Sequence, residues 1–126
     1  LDVRRLTHFL AYELESLLDL GLPDVARPVL DELARLQHED GSVRAAGDAA
    51  WVCVPGLAQL AVCWCKLGQP EPATRAMAWL ERHQQPSGGF LGSVGRGAAY
   101  FSRQEIPWAV KYFLDADHLR AKSSHV

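Results

Sequence analysis

The chain has 126 residues and a mass of 13.9 kDa, the size of one ordinary domain. Apolar residues make up 48% and charged residues 22%, which excludes wholesale disorder. A formal charge of -2 and a pI near 6.2 leave no basic excess to grip nucleic acid or an anionic membrane. The longest apolar run, from about Ala49 to Cys65, is broken by Pro55 and Gly56, short of the ~18 residues of a spanning helix.

Leu6, Leu10, Leu14, Leu17 and Leu18 recur at helical spacing with Arg4, Arg5, Glu13 and Glu15 between them, which predicts an amphipathic helix over Val3 to Leu20. Gly21 supplies its stop. Val25, Val29, Leu33 and Leu36 predict a second helix over Asp24 to His38, with Pro28 in its first turn or kinking it. A polar turn, His38 to Ser42, follows. From Ala49 to Leu67 the only strongly polar side chains are Gln59 and Lys66, and Pro55 suits a first helical turn. The third helix, Pro55 to Leu67, is therefore expected to be covered on all sides.

Gly68 ends it. Ala73, Met77, Trp79 and Leu80 set against Arg75, Glu81 and Arg82 predict a fourth, amphipathic helix over Glu71 to Gln84. Pro86 to Gly89 breaks it, and a glycine-bearing loop leads to a fifth helix over Gln104 to Asp117, apolar nearly all round. The tail, residues 120–126, is expected to be disordered beyond a single domain spanning 1–119. No run alternates at period two for long enough to predict a strand. The fold class expected is all-α. After residue 23, one-faced and all-round apolar helices alternate, as in a two-layer ring of helical hairpins with wet outer and covered inner helices.

Cys53, Cys63 and Cys65 are odd in number, and Cys63 and Cys65 stand about 200° apart on a helix, too far round to pair in place. Reduced, buried thiols in a cytoplasmic protein are expected. No signal-peptide pattern stands at the N-terminus. The first residue is Leu rather than Met, which raises the expectation of a piece of a longer chain.

Two segments match at a spacing of 47 residues: Leu33, Gln37, Gly41 and Val43 against Leu80, Gln84, Gly88 and Phe90. A Gln at a helix end satisfies orphaned backbone groups, a Gly permits a sharp turn, and the aromatic plugs the gap between hairpins. Gln37, Gly41, Gln84, Gly88 and Phe90 are therefore expected to be structural. The segment Arg75-Ala76, Trp79-Leu80, Gln84, Gly88 and Phe90 resembles the QW repeat of terpenoid cyclases, whose α-α toroid is shared by protein prenyltransferase β subunits. The resemblance covers residues 24–117. It implies a partial toroid of about five helices, since the family's closed ring holds about twice as many hairpins as fit here. The stretch from Gly88 to Ser93, with Tyr100-Phe101 and Glu105 to Ala116, looks like toroid segments found beside bacterial SAM-dependent methyltransferase domains. The implied partners are a second copy or another domain of a longer chain, with no nucleic acid and no membrane span.

The chemistry such relatives need is missing from the matching positions. An acid-motif cyclase would need neighbouring, poised carboxylates; Asp115 and Asp117 are set apart by Ala116. A prenyltransferase zinc site would place a Cys two residues after Asp48, where Ala50 stands, and a His at the end of the run Arg103 to Ile106, where Ile106 stands. No metal and no cofactor are expected. The histidines show no ligand spacing, and Ser93 lacks the strand that a nucleophile elbow requires.

What remains is a pocket at the rim of the ring, where loops lead into inner helices. It would be lined by Asp48, Trp51, Tyr100, Phe101, Arg103 and Glu105, with Trp108 just inside. Aromatic walls with a few polar groups suit an apolar or glycan ligand. The bland reading is that the aromatics are core and the two acids cap helices. The expected function is a non-catalytic α-toroid module that binds a partner domain or such a ligand. Two alternatives are a fragment of a prenyltransferase/terpenoid-cyclase-like enzyme with its catalytic residues elsewhere, and a sugar-processing barrel using Asp48 and Glu105 as an acid/base pair.

Overall fold

A computed structural model describes residues 2–123. Five helices form in order: α1 (Thr7–Asp19), α2 (Pro23–Leu36), α3 (Val54–Leu67), α4 (Pro70–His83) and α5 (Pro107–Ser123). Four of the five begin with proline in the first two positions: Pro23, Pro55, Pro70 and Pro107. The first helical N–H groups have no intrahelical partner, so proline's missing N–H costs nothing there and its fixed φ starts the helix.

α3 is the centre of the fold. Every residue from Val54 to Trp64 is buried. It packs against α1 and α5 at its sides and against α4 and, less, α2 behind it. The layers are thus α1, α3 and α5 inside and α2 and α4 outside. The two polar side chains of the apolar run both reach across to α1. Gln59 Nε2 donates to Glu15 at 2.9 Å, and Lys66 Nζ bonds Glu15 at 2.9 Å and Asp19 at 2.7 Å. Trp64, fully buried, donates its indole N–H to the Leu30 carbonyl at 3.1 Å and ties α3 to α2.

Three sequence expectations need correction. First, a two-stranded antiparallel sheet exists: β1 (Trp51–Cys53) pairs with β2 (Ser93–Gly95), Val52 opposite Val94. Three-residue strands are too short to show an alternation. They join the loops entering α3 and α5. Second, α1 starts at Thr7, not Val3, because residues 4–7 pair instead with the 45–47 segment: Thr7 N–H donates to Ala45 O and Gly47 N–H to Arg4 O. Third, the last helix starts at Pro107 and runs on through Arg120 to Ser123, so the expected disordered tail is helical over 120–123; residues 124–126 lie outside the described residues.

α5 is also less covered than its composition suggests. Ala109, Tyr112 and Ala116 are buried, while Leu114 is 56% exposed. Lys111 lies outward, paired with Asp115 at 2.8 Å. Among the described residues no helix is long and apolar enough to cross a membrane.

The 47-residue repeat is visible in the backbone. α2 and α4 end in Gln37 and Gln84 at nearly the same dihedrals, φ -64, ψ 131 and φ -67, ψ 133. His38 N–H donates to Ser42 O at 2.8 Å, and Gln85 N–H to Gly89 O at 2.9 Å. Gly41 N–H donates to His38 O at 2.9 Å, and Gly88 N–H to Gln85 O at 2.8 Å. Gly41 and Gly88 have φ of +95 and +91, the left-handed region in which a side chain is strained. Each Gln side chain closes its own turn, Gln37 onto Gly41 O and Gln84 onto Gly88 O. Val43 and Phe90 then enter the core, the Phe90 ring meeting Phe113 at a tilt of 48° with centroids 5.0 Å apart.

Candidate functional site

Of the seven rim residues expected from sequence, three are gathered into one cluster. Trp108, near the start of α5, donates its indole N–H to the Tyr100 hydroxyl at 3.0 Å. Tyr100 and Phe101 meet edge to face with centroids 5.0 Å apart, and Phe101 and Trp108 do so at 5.6 Å. Phe101 has φ +48 and is 45% exposed. A non-glycine residue in that region carries strain of about 1–3 kcal/mol. The loop holds it there: Phe101 O accepts from Gly92 N–H at 3.0 Å and from Gln104 N–H at 3.3 Å.

Among the described residues the other four expected residues make no ring contact or side-chain hydrogen bond with this cluster. Trp51, half-buried, is in β1 opposite Gly95. Asp48 is exposed in a groove with Asp2, Arg4, Arg5 and Gly47. It stands six residues before α3, so it caps no helix. Glu105 accepts from Ser87 Oγ in the turn after α4. Arg103 is exposed. Asp48 and Glu105 thus have separate neighbours among the described residues, Asp48 beside Asp2, Arg4 and Arg5 and Glu105 beside Ser87.

The cluster has a second wall that the sequence did not reveal. His8 of α1 is 3% exposed and packs against Tyr12 at 4.6 Å, Tyr100 at 5.8 Å and Tyr112 at 6.2 Å. Tyr12 and Tyr112 meet edge to face at 6.1 Å, so α1 and α5 touch in front of α3. Burial pushes the His8 pKa down, and the nearby Gln59 amide only partly offsets this. Burial likewise pushes the Tyr112 phenol up, and the hydrogen bond with Tyr12 adds to it. Among the described residues His8 Nδ1, Thr7 Oγ1 and Gln59 Oε1 are buried without a hydrogen-bond partner. In sequence His8 is only a polar residue among apolar ones. Nothing local tells that it meets Tyr100 and Tyr112 across about a hundred residues.

A recess of about 630 Å³ lies between the α3–α4 turn and the end of α5. It is lined by Cys65, Gly68, Pro70, Thr74, Asp117 and Arg120, among others. The thiols do not recommend themselves as nucleophiles. Burial pushes Cys53 up to about 11 and raises Cys63 further, and Cys65 is raised by burial with Arg120 nearby as a partial offset. All three are free, Cys65 only half-buried. Among the described residues no group of three or more His, Cys, Asp or Glu side chains is placed to hold a metal ion.

No family model and no curated protein sequence matches the chain. Among solved structures it is similar to a protein from Salmonella enterica subsp. enterica serovar Paratyphi A, described as a possible member of GH105 family. The TM-score is 0.63 at 20% identity, over 92% of this chain and 38% of that one. The chain therefore spans well under half the length of that neighbour. At this identity the likeness speaks for the fold alone, and that fold is consistent with an α-α toroid, here in partial form.

Proposed function

We propose that this chain is a non-catalytic α-toroid module that binds a glycan or apolar ligand across the aromatic rim of Tyr100, Phe101 and Trp108. The observation that carries this reading is Phe101. An exposed aromatic ring is held at positive φ by two backbone hydrogen bonds, flanked by two aromatics whose own hydrogen bond fixes their orientation. Backbone strain of this kind persists where the surroundings over-determine it, and such places are often binding or active sites. Aromatic faces beside a fixed hydroxyl and exposed polar groups suit the apolar face of a sugar ring and its hydroxyls. Of the two ligand classes a glycan has the further support of the fold neighbour, which is described as a possible member of GH105 family.

The test is a titration by calorimetry and tryptophan fluorescence against neutral and uronate-containing oligosaccharides, with alkyl glycosides as the apolar probe. Saturable binding is expected, and Phe101→Ala should weaken it by about tenfold, the ~1.4 kcal/mol of one aromatic contact. Binding that is indifferent to both Phe101→Ala and Trp108→Phe, or no saturable binding to either class, overturns the reading.

A further inference from the structure

The two repeat turns have the same backbone but different company. The first is covered by α4. Gln37 Nε2 donates not only to Gly41 O but also to Pro72 O at 3.0 Å. Arg75 donates to His38 O at 2.9 Å and Arg82 to Asp40 O at 2.6 Å. A Cβ on Gly41 would collide with the Arg75 carbonyl. In the second turn each of these partners is missing among the described residues. Gln84 is exposed, and among the described residues its side chain bonds to Gly88 O alone; Gly88 is exposed with nothing within 4 Å of an added Cβ.

The helix face that would fill such a place is present at the other edge of the molecule. Shifting α4 back by the repeat of 47 residues puts Val25, Pro28 and Arg35 of α2 at the positions of Pro72, Arg75 and Arg82. All three are exposed, Val25 by 53%. The neighbouring Leu20 and Leu22 are 75% and 45% exposed. So one end carries an uncovered turn and the other an uncovered copy of the helix that covers such turns.

We propose that the turn over Gln84 to Gly89 is an assembly site for α2 of a second copy of this chain, docked as α4 docks on the turn over Gln37 to Ser42. Gln84 Nε2 then donates to the partner's backbone at the Val25 position, as Gln37 does to Pro72. The matching Arg35 reaches the Ser87 carbonyl, as Arg82 reaches Asp40. It arrives beside the exposed Glu105 carboxylate that accepts from Ser87, so the charges are complementary. Among the described residues of the single chain Arg35 holds only an exposed pair with Glu32 at 2.7 Å, little to give up. Pro28 departs from the pattern: it has no donor for the Gln85 carbonyl, so the contact is one hydrogen bond poorer than its internal template. The contact joins two different surfaces. Repeated, it closes a ring of copies or runs on as a chain.

Sedimentation velocity and light scattering from about 1 to about 500 µM test this. The expected mass rises with concentration to at least twice the 13.9 kDa of one chain. Arg35→Glu and Gln84→Ala should each weaken association about tenfold or more; at low concentration Arg35→Glu should leave the thermal midpoint nearly unmoved and Gln84→Ala should lower it slightly, through the lost bond to Gly88 O. Mixed, these two variants should recover a two-chain complex, because each still carries the edge the other has lost. The mass of a single chain at every concentration overturns the proposal. So does association that survives both substitutions, or a mixture that recovers nothing.

Discussion

Gly41 and Gly88 occupy the same left-handed turn, yet only Gly41 lies beneath another helix, with the Arg75 carbonyl where its Cβ would be. Gly41→Ala must therefore move α4 as well as strain φ, and about 3 kcal/mol or more of destabilisation is expected. Gly88→Ala meets only the conformational cost, about 1–2 kcal/mol. Urea denaturation of the two variants at low protein concentration checks the difference. Equal losses would show that the first turn is not held down by α4.

Phe101 allows the strain in the rim to be separated from its packing. Phe101→Ala loses the ring and keeps the positive φ; Phe101→Gly loses the ring and relieves it. The glycine variant should be the more stable of the two by about 1 kcal/mol, against the usual order in which glycine loses to alanine. Thermal or chemical denaturation curves give the sign directly.

His8 sets a pH dependence. Burial among Tyr12, Tyr100, Tyr112 and Gln59 lowers its pKa in the folded chain, while the unfolded chain keeps a value near 6.5. The unfolded state then binds the proton more readily. Stability is whole above about pH 6.5 and is lost as pH falls from there toward the folded-state value. Denaturant midpoints between pH 7.5 and 5 should fall, and His8→Gln should flatten that fall. A wild-type profile as flat as the variant's would remove His8 from the core.

The thiols should label in the order of their exposure. Cys65 is half-buried and Cys53 and Cys63 are buried, all with pKa raised by desolvation. In native protein at pH 8, iodoacetamide should modify Cys65 first, with Cys53 and Cys63 reacting only as the core opens. Peptide mass mapping over time reads this out. Early modification of Cys63 would contradict the packing of α3 against α1.

Much of the framework was legible in the chain itself. The leucine spacing of α1, the all-round apolar run of α3 and the 47-residue repeat each follow from local periodicity, because a helix buries the face that its own residues define. The turn residues Gln37, Gly41, Gln84 and Gly88 were legible for the same reason: the hydrogen bonds that close each turn span five residues or fewer. The β1–β2 pair was not, since its three-residue strands take their stability from a partner about forty residues away. The candidate site was half legible. Tyr100, Phe101 and Trp108 are close in sequence and meet in space.

The sequence by itself determined that five helices form and in what order, that α3 is buried, and the repeat that follows α2 and α4, because each depends on side-chain pattern and backbone preference within a few turns. Only the tertiary structure decided that Asp48 and Glu105 have separate surroundings, that His8 closes the aromatic rim from α1, and that one repeat turn is covered while its twin is bare. Those facts depend on which surfaces the folded chain brings together, and no local pattern encodes a contact between segments so far apart.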